Sequence, residues 1–244
     1  MTAKQRLILS LDTWNYDEAI EIVERFRDLL DVFKVGFQLF TSVGPKVVEK
    51  INSMGKKVFL DLKFHDIPNT VSKAGLTATR LGVYMFDIHT LGGLDMMRRC
   101  REDVVTLCLK ENLPRPRILG VTILTSIDQR TLKDEIGITH SIRTQVRHLS
   151  GLALKAGLDG VIASPEEITL IKGHCGSGFL VVTPGIRPSG TPKDDQRRTL
   201  TPREAVVQGA DYLVIGRAVL SNANPMKALE AIIAEVNSVL NTEI

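Results

Sequence analysis

Eight short runs of aliphatic and β-branched residues, each parted from the next by a stretch of helix length, constrain this chain more than any other feature. They fall near residues 6–11, 32–36, 57–62, 85–89, 117–124, 160–163, 178–182 and 212–215. Most are continuously apolar rather than alternating, as in strands buried on both faces of a parallel sheet. Between the first two, residues 16–30 place Ala19, Ile20, Val23, Phe26, Leu29 and Leu30 close to the i, i+3, i+4 spacing of an amphipathic helix. Thr201-Pro202-Arg203-Glu204 and Ser164-Pro165-Glu166-Glu167 each fit a capping box with proline at the first helical position. Pro45 and Pro68 open two more predicted helices, and a last one is predicted over about residues 225–240. Eight strands alternating with helices in 244 residues predict a (β/α)8 TIM barrel, read as one domain over residues 1–244. A doubly wound open sheet is the rival, but no GxGxxG follows the first strand. Two connections, 126–138 and 184–200, are long enough to serve as functional loops.

Composition narrows the function. Hydrophobic residues at 43% and charged residues at 24% fit a folded globular chain. The balance of 31 Lys and Arg against 28 Asp and Glu, a net +3, is too small for a nucleic-acid surface, and no basic-aromatic stripe is present. A local anion site accounts for it equally well. The apolar run 7–11 is broken by Ser10 and stopped by Asp12, too short for a secretory or membrane-spanning segment. Three cysteines without a CxxC point to a reducing cytoplasm, and five histidines without an HExxH give no zinc site.

In a barrel the catalytic groups gather at the carboxyl ends of the strands. The polar residues closing the predicted strands are Asp12, Lys34, Asp61 with Lys63, Asp87 with His89, Thr125, Ser164, Arg187 and Gly216-Arg217. Charges ending apolar runs cost desolvation energy unless paired. The densest set is Asp61-Leu62-Lys63-Phe64-His65-Asp66-Ile67-Pro68-Asn69-Thr70. On an extended segment Asp61 and Lys63 point to the same side. A lysine flanked by carboxylates stays an ammonium, hence a proton donor rather than a Schiff-base nucleophile. A surface charge cluster has the same composition; the apolar strand in front of it favours a site. At the other end of the chain, Ile215-Gly216-Arg217 ends a buried strand with a glycine, which admits an anion to the backbone, and a bidentate guanidinium. A phosphate site after strands seven and eight recurs in barrels, with Arg187 as a second arginine. The alternative is a glycine turn with a surface arginine.

These stretches together resemble the orotidine 5'-phosphate decarboxylase family in its bacterial form. The resemblance rests on LSLDTWNYDEA at 9–19, FKVGFQLF at 33–40, VFLDLKFHDIPNTV at 58–71, GVTILTS at 120–126, VVTPGIRP at 181–188, DDQRR at 194–198 and ADYLVIGRAV at 210–219. It implies a phosphate-binding barrel, a homodimer without cofactor or metal, that converts orotidine 5'-phosphate to UMP and CO2 in pyrimidine biosynthesis. Carried over by position, Lys63 is the acid that protonates pyrimidine C6, Asp61 lies by the substrate carboxylate, and Lys34 joins the same charge array. Asp66 and Thr70 reach into the neighbouring subunit's site. Asp12 and Lys34 contact the ribose, and Thr125 lies by the ring. Arg187, Gln196, Gly216 and Arg217 hold the phosphate, and Ile67 and Pro184 complete the substrate set. Asp87 is left outside the site, His89 reads as a hydrogen-bonded structural histidine, and Trp14 and Phe37 read as packing near the barrel mouth. Two rivals remain. One is a Mg2+-dependent sugar-phosphate decarboxylase or synthase, disfavoured by the cation at Lys34. The other is a nucleotide-binding barrel without catalysis.

Overall fold

Eight parallel strands pair in chain order and close on themselves: β1 (Leu7–Ser10), β2 (Val32–Gly36), β3 (Lys57–Phe64), β4 (Met85–His89), β5 (Arg117–Val121), β6 (Gly160–Ile162), β7 (Leu180–Thr183) and β8 (Tyr212–Ile215). The last strand meets the first through Leu7↔Leu213, Ile8↔Val214 and Leu9↔Ile215. This closed barrel with its outer helices is the predicted TIM fold. The computed structural model describes residues 1–188 and 200–240.

Local signals act where the sequence places them. Asn15 caps the helix Tyr16–Phe26 by accepting from the Glu18 N–H at 3.1 Å. Both capping boxes form: at Thr201, which opens the helix Pro202–Val207, and at Ser164, which opens a single 3-10 turn, Pro165–Glu167. Pro68 starts the helix Pro68–Arg80, and Pro45 caps Lys46–Ser53. Some boundaries move. The first long helix stops at Phe26 rather than residue 30, because the N–H groups of Leu29 and Leu30 both turn back to the Phe26 carbonyl. That tight turn drops Leu30 into the core on the way to β2. Strand β5 ends at Val121, where Thr122 gives both its N–H (3.3 Å) and its hydroxyl (3.1 Å) to the Ile162 carbonyl. Strand β3 runs on to Phe64, but irregularly, with a shift of register against β4 between Leu60 and Phe64.

The core has two layers. Outside the strands, side chains such as Leu9, Phe33, Leu60 and Phe86 pack against helix residues such as Val23, Phe26, Val71 and Val104. Inside, Ile8, Val32, Phe59, Met85, Leu119, Val182 and Tyr212 fill the lower barrel. Full burial of each such side chain contributes about 1.5–3 kcal/mol. The floor is closed by Tyr84 and Tyr212, whose hydroxyls meet at 2.9 Å. The Arg117 guanidinium covers both rings, at 4.5 Å and 5.9 Å from their centroids.

Strand periodicity then builds the upper layer. Two residues beyond the inward apolar side chain of each of β1 to β4 stands another inward one, and it is polar: Ser10 above Ile8, Lys34 above Val32, Asp61 above Phe59, Asp87 above Met85. A further step reaches Asp12 and Lys63. The barrel thus passes from hydrocarbon to charge within one side-chain layer.

Candidate active site

At the carboxyl ends of the strands lies a cavity of about 330 Å³. Asp12, Lys34, Asp61, Lys63, Thr125, Pro184, Arg187, Gly216 and Arg217, all expected at a site, line it. The charges on one wall alternate. Lys34 Nζ lies 3.5 Å from Asp12 Oδ1 and 3.2 Å from Asp61 Oδ2, and Lys63 Nζ pairs with Asp61 Oδ1. Burial raises the Asp61 carboxyl, but the Lys34 and Lys63 ammoniums outweigh it and hold the group well below the usual carboxylate range. Burial likewise lowers Lys34, and the Asp61 and Asp12 carboxylates more than restore it, so its ammonium titrates above the ordinary lysine value. Ser10 donates to Asp12 Oδ1 at 2.5 Å and fixes the outer end of the row.

Two glycines make room for this row. A Cβ on Gly36 would lie 3.0 Å from Lys34 Nζ, and one on Gly216 would lie 3.2 Å from Asp12 Oδ2 and 3.3 Å from Ser10 Cβ. The opposite wall is apolar, from Val121, Ile123, Leu124, Ile162 and Val214. Beyond it Gly185, at φ +81°, and Gly216 bring main chain to the edge beside Arg187 and Arg217. Arg187 is 8% exposed, and its N–H donates to the Leu200 carbonyl at 3.0 Å. A parallel bridge, Ile186↔Leu200, closes the base of the connection between β7 and the next helix.

Three expected residues do not line the cavity. Asp66, Ile67 and Thr70 sit at the start of the helix after β3 and face outward. Asp66 Oδ1 accepts the Ile67 N–H at 2.6 Å. Gln196 falls outside the described residues. Trp14 and Phe37 do not pack as expected: they are 66% and 57% exposed, beside Ile67 at 65%. Trp14 lies in the bend after β1, and Phe37 opens the helix Phe37–Val43 that follows β2. His89 also departs from expectation. It stacks on His65 at 5.1 Å beside a small apolar pocket, and its Nδ1 is buried without a hydrogen-bond partner among the described residues. Burial pushes the His89 imidazole down to about 4, helped by the nearby His65 and Lys63.

Among the described residues no cluster of three His, Cys, Asp or Glu side chains is arranged to hold a metal, and no helix is long and apolar enough to cross a membrane. The donor set at the strand ends does not suit Mg2+. Asp61 is gripped by two ammonium groups and Asp12 by one, so a divalent cation would have to displace bound positive charge.

The family model for "Orotidine 5'-phosphate decarboxylase / HUMPS family" matches residues 5–232. The chain belongs to this family. Among its orotidine 5'-phosphate decarboxylase / HUMPS relatives, the orotidine 5'-phosphate decarboxylase of Syntrophomonas wolfei is 46% identical over 237 residues, covering 97% of this chain and 99% of that protein. The enzyme of the same name from Trichlorobacter lovleyi is 49% identical over 234 residues, covering 96% of each. The crystal structure of orotidine 5'-phosphate decarboxylase from Lactobacillus acidophilus superposes with a TM-score of 0.83 at 34% identity, over 96% of this chain and 99% of that one.

For this orotidine 5'-phosphate decarboxylase / HUMPS chain, sequence reasoning did not pick out Ser10, Leu124 or Ser126, and it left Asp87 outside the site. Ser10 and Ser126 line the cavity, and Leu124 shows that the segment after β5 takes part in the wall. Asp87 contacts Lys63 from the adjoining strand, through the Lys63 N–H. Inward periodicity was the available signal for Ser10 and Asp87: each stands two residues beyond a buried side chain of the lower layer.

Proposed function

We propose that the chain is an orotidine 5'-phosphate decarboxylase acting in pyrimidine biosynthesis, with Lys63 as the acid. The family, and relatives of that name matching nearly the whole chain at 44–49% identity, support the reaction. The single observation that carries the mechanism is the Lys34–Asp61–Lys63 row against an apolar wall. When the C6–carboxylate bond breaks, the electron pair stays on an sp2 ring carbon with no π system to absorb it. A fixed ammonium in a water-poor site stabilises that charge where it forms. Lys63 then gives its proton to C6, CO2 departs, and the neutral amine is reprotonated from solvent. Asp61, half-buried and anionic, faces the departing carboxylate and anchors both lysines. Arg187, Gly216 and Arg217, with Gln196, hold the phosphate, whose binding energy serves the chemistry at the distant ring. Asp12 and Lys34 hold the ribose, and Thr125 and Pro184 border the base. These side chains supply the chemistry without a cofactor.

The barrel works as one catalytic domain over residues 1–244, in the cytoplasm and as a homodimer. The exposed Trp14, Phe37 and Ile67 favour a covered face, and the outward position of Asp66, Ile67 and Thr70 suits a site shared between two subunits. Spectrophotometric assay with orotidine 5'-phosphate in EDTA tests the reaction: UMP formation is expected to be unaffected by the chelator. Activity confined to a sugar phosphate and lost in EDTA would overturn it, as would UMP binding with no CO2 release. Lys63→Ala is expected to lose several decades of kcat/KM, each about 1.4 kcal/mol, and turnover near normal would remove Lys63 as the acid.

A further inference from the structure

Asp87 lies on β4 beside the Asp61–Lys63 pair and is fully buried. Leu60 pairs with Phe86 and Phe64 with Ile88, so β3 makes four steps while β4 makes two. The surplus lifts Lys63 out of the regular ladder into a left-handed backbone at φ +42°. Such a conformation costs a residue with a side chain about 1–3 kcal/mol and needs support from its surroundings. The support is Asp87, whose Oδ1 accepts the Lys63 N–H at 2.8 Å in place of a ladder carbonyl. The other oxygen, Oδ2, is buried with no hydrogen-bond partner among the described residues, and the Asp61 carboxyl group acts on Asp87 from β3. Two carboxyl groups form a hydrogen bond only when one carries a proton. Asp61 is paired with both Lys34 and Lys63 and stays the anion, so a bond between the two carboxyl groups would need its proton on Asp87.

We propose that Asp87 is a positioning residue for the decarboxylation: a neutral carboxylic acid that grips the Lys63 main chain with one oxygen and donates to Asp61 with the other. Facing it from β3 are Asp61 and Lys63, while its register partner on β5 is the apolar Leu119. Burial and the Asp61 charge both raise its carboxyl well above the ordinary range. Through these two bonds one buried side chain fixes the main chain of the acid and the carboxylate that orients its ammonium. An error of about 1 Å in the placement of a reacting group can cost on the order of 10²-fold in rate.

The test compares Asp87→Asn with Asp87→Ala, adding the infrared difference spectrum of wild type minus Asp87→Asn. Asparagine keeps an acceptor for Lys63 and an N–H donor for Asp61, so kcat is expected within about threefold of wild type with an unchanged pH profile. Alanine keeps neither, and kcat is expected to fall about 10²-fold with KM little altered and the circular dichroism preserved. The difference spectrum is expected to show the carbonyl band of a buried protonated carboxyl group at neutral pH. Asp87→Asn falling as far as Asp87→Ala, or no such band, would overturn the neutral acid. A folded Asp87→Ala with normal kcat would overturn the positioning role; should that variant not fold, Asp87→Asn and the band still decide. Because the proposal rests on Lys63 as the proton donor, Lys63→Ala is assayed alongside. Normal turnover there sinks the mechanism, whereas the infrared band reports on Asp87 alone.

Discussion

A single methyl group is enough to test how tightly the charge row is built. At Gly36 the added Cβ would press on the Lys34 ammonium at 3.0 Å, where that group already spans Asp12 and Asp61. Gly36→Ala is expected to lower kcat/KM by about tenfold, or about 1.4 kcal/mol, with a thermal midpoint close to wild type. Steady-state kinetics beside a melting curve check this, and an unchanged kcat/KM would show that the lysine has slack. His89 gives a second test. Its imidazole titrates near 4 when folded, against 6.5 for the free side chain, so it stays neutral where the unfolded chain binds a proton. Its contribution to stability is therefore fully present above about pH 6.5 and is lost as pH falls toward 4. His89→Phe is expected to flatten that part of the stability profile, as read from denaturant midpoints across the window. At this scale the lining of the cavity was legible: Asp61, Lys63, Arg187 and Arg217 announce themselves as charges ending apolar strands. What the residue letters hid was the backbone. Nothing in DLKF signals a lysine at φ +42°, because that angle answers to Asp87, which stands 24 residues away in sequence.

Elements with local causes were legible nearly to the residue. Strands β2, β4 and β8 and the helix Pro225–Leu240 fall where periodicity puts them, and proline and capping boxes mark helix starts. Thr201 accepts the Glu204 N–H while Glu204 returns the bond to the Thr201 N–H at 2.9 Å. Thr201→Ala is expected to cost about 1 kcal/mol, measurable by chemical denaturation. Boundaries set by tertiary contacts were not legible. Strand β3 continues past its predicted end because of its bulge, β5 stops early because Thr122 turns to Ile162, and the first long helix breaks at Phe26 to feed β2. The connection 184–200 was legible as long and polar, and its two ends meet in the Ile186↔Leu200 bridge, but Gln196 lies outside the described residues.

For the molecule as a whole, alternation of strands and helices was enough to reach the closed barrel, since short right-handed crossovers leave few other ways to cover a parallel sheet. A site shared between subunits was not legible from pattern; that role for Asp66 and Thr70 entered through the family resemblance alone. Mixing Asp66→Ala with Lys63→Ala is expected to restore turnover in heterodimers, where one of the two sites keeps both groups. Verified heterodimers without activity would count against a shared site. Sedimentation of Trp14→Glu is expected to show weakened association, because the 66% exposed indole is a large apolar surface for the proposed homodimer to cover.

The tyrosine pair at the foot of the barrel has a consequence for traffic. With Tyr84 and Tyr212 locked together under Arg117, and Ile8, Val32 and Phe59 packed above them, the vessel has a stopper at its base. Gas released beside Lys63 cannot drain downward. If CO2 forms there as proposed, it is expected to leave from the end of the barrel where the charged cavity lies.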